Sequence, residues 1–145
     1  MGYYVQALVG TVEALTEHAS DFQHARLVLL PQRMALIPLT DELCLEVGKG
    51  SEADGFEKLS VPVLQWALRI SFIAPVAHIE AEFFGGAGGQ SAIVWSRGSE
   101  AMPPIHSQDA INQALRFLGV QIGNAQDEFD APGLGRYRNT RNWAL

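Results

Sequence analysis

Four glycines fall within five positions, Gly85, Gly86, Gly88 and Gly89, between VAHIEAEFF (76–84) and QSAIVWSRG (90–98). Both flanks alternate with period two, which marks β-strands. Glycine accepts positive φ without the penalty a Cβ brings, so the cluster suits a tight reversal between strands. A phosphate-binding loop would instead need GxxxxGK[ST] running into a helix, and a dinucleotide turn would need its own glycine spacing before a helix. Neither pattern is present, and a strand follows. The stretch therefore reads as a hairpin. With the turn centred on Ala87, Ile79 opposes Trp95 and Ala81 opposes Ile93. That register collects Ile79, Ala81, Phe83, Ile93 and Trp95 on one apolar face and leaves His78, Glu80 and Glu82 on a solvated one.

The remaining elements follow from capping residues and hydrophobic period. Tyr3 to Val9 is aromatic and β-branched and reads as a strand. Val12 to His18 reads as a short helix capped by Thr11. Residues 25–30 and 33–37 are apolar runs broken by Pro31 and Gln32, a second hairpin closed by Pro38. Thr40 caps a helix that has Asp41 and Glu42 in its first turn and ends at Gly48. GKGSEADG (48–55) is a polar loop, and Ser60 caps a helix with Val63, Trp66, Ala67 and Ile70 on one face. A last helix starts at Ser107 and runs to about Leu118. The order β-α-β-β-α-α-β-β-α predicts an α+β fold: an antiparallel sheet of about five strands, with three to four helices packed mainly on one face.

At 145 residues the chain has the length of one domain, and 48% hydrophobic with 18% charged residues is a globular composition. No apolar run has the roughly 18 to 20 residues needed to cross a bilayer. MGYYVQALVG lacks the basic start of a secretion signal, and the single cysteine, Cys44, has no internal disulfide partner. Both features lead to an expectation of a cytoplasmic protein. The net charge of −6 opposes nucleic-acid binding and suits a basic protein partner. A homo-oligomer is compatible with the same composition.

The chemistry-bearing residues are few. His78, Glu80 and Glu82 share a strand face, but alternate residues lie about 7 Å apart, twice the ~3.3 Å rise, which splays them for one metal ion. The histidines, His18, His24, His78 and His106, form no HxH or HExxH pair, and neither Cys44 nor any serine sits in a nucleophile motif. No catalytic, cofactor or metal residues are assigned. The ending DEFDAPGLGRYRNTRNW places Asp127, Glu128 and Asp130 ahead of Arg136, Arg138 and Arg141, interleaved with Tyr137 and Trp143. Arginines with aromatics can track a phosphate backbone. The adjacent acidic block and apolar Leu134, Tyr137 and Trp143 favour a tail, 127–145, that docks on the body of a single α+β domain.

The combination of HIEAEFFGGAGGQSAIVW, DAINQALRFLGV and this ending resembles a family of small bacterial proteins of unassigned activity. Through size and acidity it is loosely similar to immunity proteins of toxin systems, which cap a toxin. The resemblance implies no site residues. The leading expectation is a non-enzymatic protein-binding domain, an inhibitor or immunity-type protein that recognises a basic partner through His78, Glu80, Glu82, Asp127, Glu128 and Asp130. The rival is a small enzyme or ligand-binding protein with a pocket near His78, Glu80 and Glu82.

Overall fold

A computed structural model describes residues 2–145. Among them the chain forms β1 (Tyr3–Thr11), α1 (Val12–His18), β2 (Val28–Leu30), β3 (Met34–Pro38), α2 (Asp41–Val47) and α3 (Val61–Ile70). It continues through β4 (Val76–Phe84), β5 (Ala87–Ser96), β6 (Ser99–His106), α4 (Ala110–Phe117) and the one-turn α5 (Thr140–Trp143). The first three helices begin where a hydroxyl can take an orphan backbone donor. Thr11, Thr40 and Ser60 accept from the N–H groups of Ala14, Leu43 and Val63. At α4 the sequence misleads. Ser107 donates its hydroxyl to Asp109, and Asp109 becomes the N-cap without a side-chain bond to the helix.

The six strands form one antiparallel sheet in the order β2-β3-β1-β4-β5-β6, giving the α+β class. The strand beyond the expected five is β6, whose Pro103 and Pro104 would exclude it from a sheet interior. It lies at the edge, with irregular register against β5, where a missing N–H is tolerated.

The hairpin formed by β4 and β5 turns through Gly85 and Gly86, with φ of 59° and 84°. Phe84 faces Ala87 and the loop has two residues, as positive φ at both central positions allows. Gly88 is required for another reason: a Cβ there would lie 1.8 Å from the carbonyl oxygen of Glu82. The turn sits ahead of Ala87, so Ile79 opposes Ala92 and not Trp95, a displacement of three residues. An odd displacement exchanges faces. Ile93 and Trp95 therefore join Val76 on the side of His78 and Glu80, while Ala77, Ile79, Ala81, Ala92 and Val94 share the other.

Both faces are consequently covered. On one, α1, α2 and α3 bury Leu15, Leu43, Trp66 and Ile70 against Leu8, Ile37, Val76, Ile93 and Trp95. On the other, α4 and the C-terminal segment bury Ile111, Leu115, Leu134 and Trp143 against Val5, Val9, Leu36, Ile79 and Val94. Nearly continuous apolar strands are the signature of a sheet without a wet side.

The C-terminal segment also completes the sheet. β3 pairs with β1 only from Ala7 to Thr11, and the Leu39 N–H just beyond it reaches the Gln6 carbonyl at 2.9 Å, which leaves Tyr3 to Val5 and the Gln6 N–H open on that side. Residues 138–140 occupy the vacant place. Tyr4 N–H donates to the Arg138 carbonyl at 2.7 Å, Tyr4 and Asn139 form a parallel bridge, and Gln6 N–H donates to Thr140 Oγ1 at 3.0 Å. Tyr3 adds a bond from its hydroxyl to the Leu134 carbonyl at 2.7 Å.

Candidate functional site

The residues expected on a solvated face are largely inside. His78 is 0% exposed and Glu80 9%, and only Glu82, near the turn, is open. The displaced register is one cause and the 48–60 loop is the other. Asp54 and Gly55, with φ of 55° and 78°, turn this loop so that Phe56 and Leu59 plug the core beside His78. The Phe56 ring meets the His78 ring edge-on, with centroids 5.0 Å apart. GKGSEADG is polar, but the FEKL that follows it carries the loop inward.

Glu80 is the hub of this packing. Its Oε1 accepts the N–H of Glu57 at 2.8 Å, and its Oε2 accepts the N–H of Lys58 at 2.7 Å and bonds His78 Nε2 at 2.8 Å. Burial alone would raise this carboxyl's pKa. The bond and charge of His78 and the two backbone donors outweigh burial, and the net shift is below the ordinary carboxylate value. A carboxylate with both oxygens so engaged fastens the loop to the sheet. It is not an idle acid. His78 Nδ1 has no hydrogen-bond partner among the described residues.

Above this hub lies a cleft of about 370 Å³ lined by Tyr4, Gln6, Gly55, Glu57, Glu80, Glu82, Gly88, Gly89 and Ser91, with Ala81 in its floor. The three carboxylates share it with no lysine, arginine or histidine among its described lining residues. The Tyr4 hydroxyl donates to Glu57. Burial, then Glu57, Glu82 and Glu80, raise the phenol's pKa well above its usual range and keep its proton in place. Glu82 takes part in no ion pair among the described residues.

Ser91, on the rim, lies 2.6 Å from His106 Nδ1, and His106 Nε2 lies 3.0 Å from the Asp54 carbonyl oxygen. The carbonyl can only accept, so Nε2 carries a proton and donates. A serine hydroxyl beside an imidazole is half of a nucleophile–base arrangement. Attack by Ser91 would create an oxyanion against a wall of carboxylates, the reverse of the donors such a transition state needs. The bonds instead tie β5, β6 and the Asp54 turn together.

Asp127, Glu128 and Asp130 do not reach this cleft. Glu128 pairs with Arg116 of α4 at 2.9 Å, with its side chain 6% exposed, and the guanidinium holds its carboxyl below the usual range. Asp127 accepts from Asn112 Nδ2 and from the backbone of Asp130, while Asp130 accepts from the backbone of Gln126. These side chains organise the segment after α4. The acidic run reads as a surface patch in sequence because Arg116 and Asn112 precede it by more than ten residues. The cleft's other missed members, Tyr4 and Glu57, carry no local motif; topology alone brings β1 and the loop beside β4.

Among the described residues no three His, Cys, Asp or Glu side chains are grouped to hold a metal ion. No helix among the described residues is long and apolar enough to cross a membrane. Comparison with known proteins finds no matching family model, no similar curated sequence and no similar solved structure.

Proposed function

We propose that this chain is a non-enzymatic binding protein that takes a cationic side chain of a partner protein, arginine or lysine, into the cleft walled by Tyr4, Glu57 and Glu82. One observation carries this reading: carboxylates converge on an open cleft with no lysine, arginine or histidine among its described lining residues. Glu80 is buried and bonded to the loop, while Glu57, which accepts the Tyr4 hydroxyl, and Glu82, unpaired among the described residues, are exposed. The net charge of −6 would speed encounter with a basic surface. In this reading the protein is cytoplasmic and acts by capping, as an inhibitor or immunity-type protein does. Cys44, whose thiol pKa burial raises, suits a reducing compartment.

The test is an NMR titration with an arginine-rich peptide. Amide shifts should concentrate at Glu57, Glu82, Gly88, Gly89 and Ser91. The double change Glu57→Gln, Glu82→Gln should weaken binding about tenfold, the sum of two exposed charge pairs. Shifts scattered over the whole acidic surface, or affinity unchanged in the double variant, would overturn the proposal.

A further inference from the structure

On the other side of Tyr4 lies a cleft of opposite character. It has a volume of about 520 Å³ and is lined by Gly2, Tyr4, Phe84, Arg136, Tyr137, Arg138, Asn139 and Asn142. No carboxylate side chain is among its described lining residues. Arg136 and Arg138 form no ion pair among the described residues, in a chain where acidic side chains outnumber lysine and arginine 16 to 10. Arg141, three residues on, is by contrast paired with Glu42. Phe84 and Tyr137 are 56% and 38% exposed, so two aromatic rings face solvent beside two free guanidinium groups. The Arg136 guanidinium lies 5.6 Å from the centre of the Tyr137 ring, and the Tyr4 and Phe84 rings are 6.5 Å apart.

The wall that carries the arginines is not a loose arm. The Arg138 carbonyl is bonded to β1, Thr140 engages Gln6, and Trp143 is buried in the core. The backbone under the guanidinium groups is thus fixed before any ligand arrives, which lowers the ordering cost of binding.

We propose that this cleft is a binding site for a single nucleoside phosphate. A nucleobase offers a flat π-face to Phe84 and Tyr137, and such stacking accepts any base. Asn142 adds a polar side chain to the lining, while Asn139 Oδ1 accepts the Asn142 N–H at 2.9 Å and caps α5. A phosphate matches the planar fork of arginine, which binds it through two parallel N–H donors. The volume lies in the range of small-ligand sites. A polynucleotide fits poorly: beyond Tyr4 the next phosphate would meet Glu57 and Glu82, and the chain as a whole repels a polyanion.

The experiment is a titration of the full chain with AMP, inorganic phosphate and an eight-nucleotide oligo(dT), followed by amide NMR shifts. AMP should saturate one site, moving the signals of Phe84 and residues 136–139. Phosphate alone should bind at least about tenfold more weakly, since it forgoes stacking worth a factor of that order. Oligo(dT) should bind no more tightly than AMP. Changing Arg136 and Arg138 to Gln, or Phe84→Leu alone, should each weaken AMP about tenfold or more at an unchanged melting temperature. These side chains are exposed, so folding survives their loss. No saturable AMP binding at millimolar concentration would overturn the proposal. So would phosphate binding as tightly as AMP, which makes the site a general anion patch, or oligo(dT) binding far more tightly, which makes it a single-strand groove.

Discussion

Glu80 shows how much one side chain can organise when its oxygens meet backbone donors. It holds two consecutive N–H groups of the loop and one imidazole, so its loss strands three donors. Glutamine is nearly isosteric but replaces one oxygen by an NH₂ group that turns its own hydrogens toward those donors. Leaving one or two buried donors unpaired costs about 1–3 kcal/mol each, and Glu80→Gln should lower stability by about 2–3 kcal/mol at neutral pH. The sign of its pH dependence follows from the lowered pKa. The carboxylate's contribution is complete above the ordinary glutamate value of about 4.3 and disappears as pH falls through the lower folded value. Urea unfolding of both proteins from pH 7 down to pH 2.5 should show the gap narrowing below about pH 4.3. A gap that stays constant would mean that the hydrogen bonds to charged Glu80 contribute little. In sequence, Glu80 is one of three alternating polar residues on a strand. Nothing in HIEAE shows that a loop 22 residues earlier will present two amides to it.

At the scale of elements, local signals were legible where the chemistry is local. The hydroxyl caps of α1, α2 and α3 are satisfied within three residues, and their helices begin where the capping residues place them. The glycine hairpin is legible as a turn but not in register, because Gly85-Gly86 and a turn on Ala87 differ only in which glycines take positive φ. β6 is obscured by its prolines, and α4 by a serine that bonds the next carboxylate. The place of residues 138–140 beside β1 depends on β3 ending at Pro38, about a hundred residues earlier, and no window of sequence contains both. Trp143 anchors that placement. It is 3% exposed, its ring centroid lies 4.9 Å from that of Tyr137, and its indole N–H has no acceptor among the described residues. Trp143→Ala should therefore cost about 3–5 kcal/mol, whereas Trp143→Phe, which removes an unsatisfied donor and keeps much of the ring, should cost far less. Thermal melts of both variants check this. Equal melting points for wild type and Trp143→Ala would show that the segment adds no stability.

For the whole molecule, the decisive property is a sheet with no wet face. Alternating polar residues in β4 suggest a half-exposed sheet, yet His78 and Glu80 are paired and covered, so the polarity that normally marks a surface here marks a buried contact. The two central strands, β1 and β4, have neighbours on both sides and packing above and below, as do β3 and β5 outside them. Their amide hydrogens have no local route to solvent: no fraying edge and no exposed face. In deuterium exchange, the amides of Val5 to Val9 and Ala77 to Ala81 should be released only by complete unfolding, and their slowest rates should report the same free energy as denaturant melting. The short edge strand β2 and the proline-interrupted β6 should exchange by smaller openings, several orders of magnitude sooner. The same pair of strands supplies Tyr4, Glu80 and Glu82 to the acidic cleft and Tyr4 and Phe84 to the basic one. One wall of each cleft is thus anchored to the strands that open last, while the opposite walls, the loop with Glu57 and the segment with Arg136 and Arg138, can open without them.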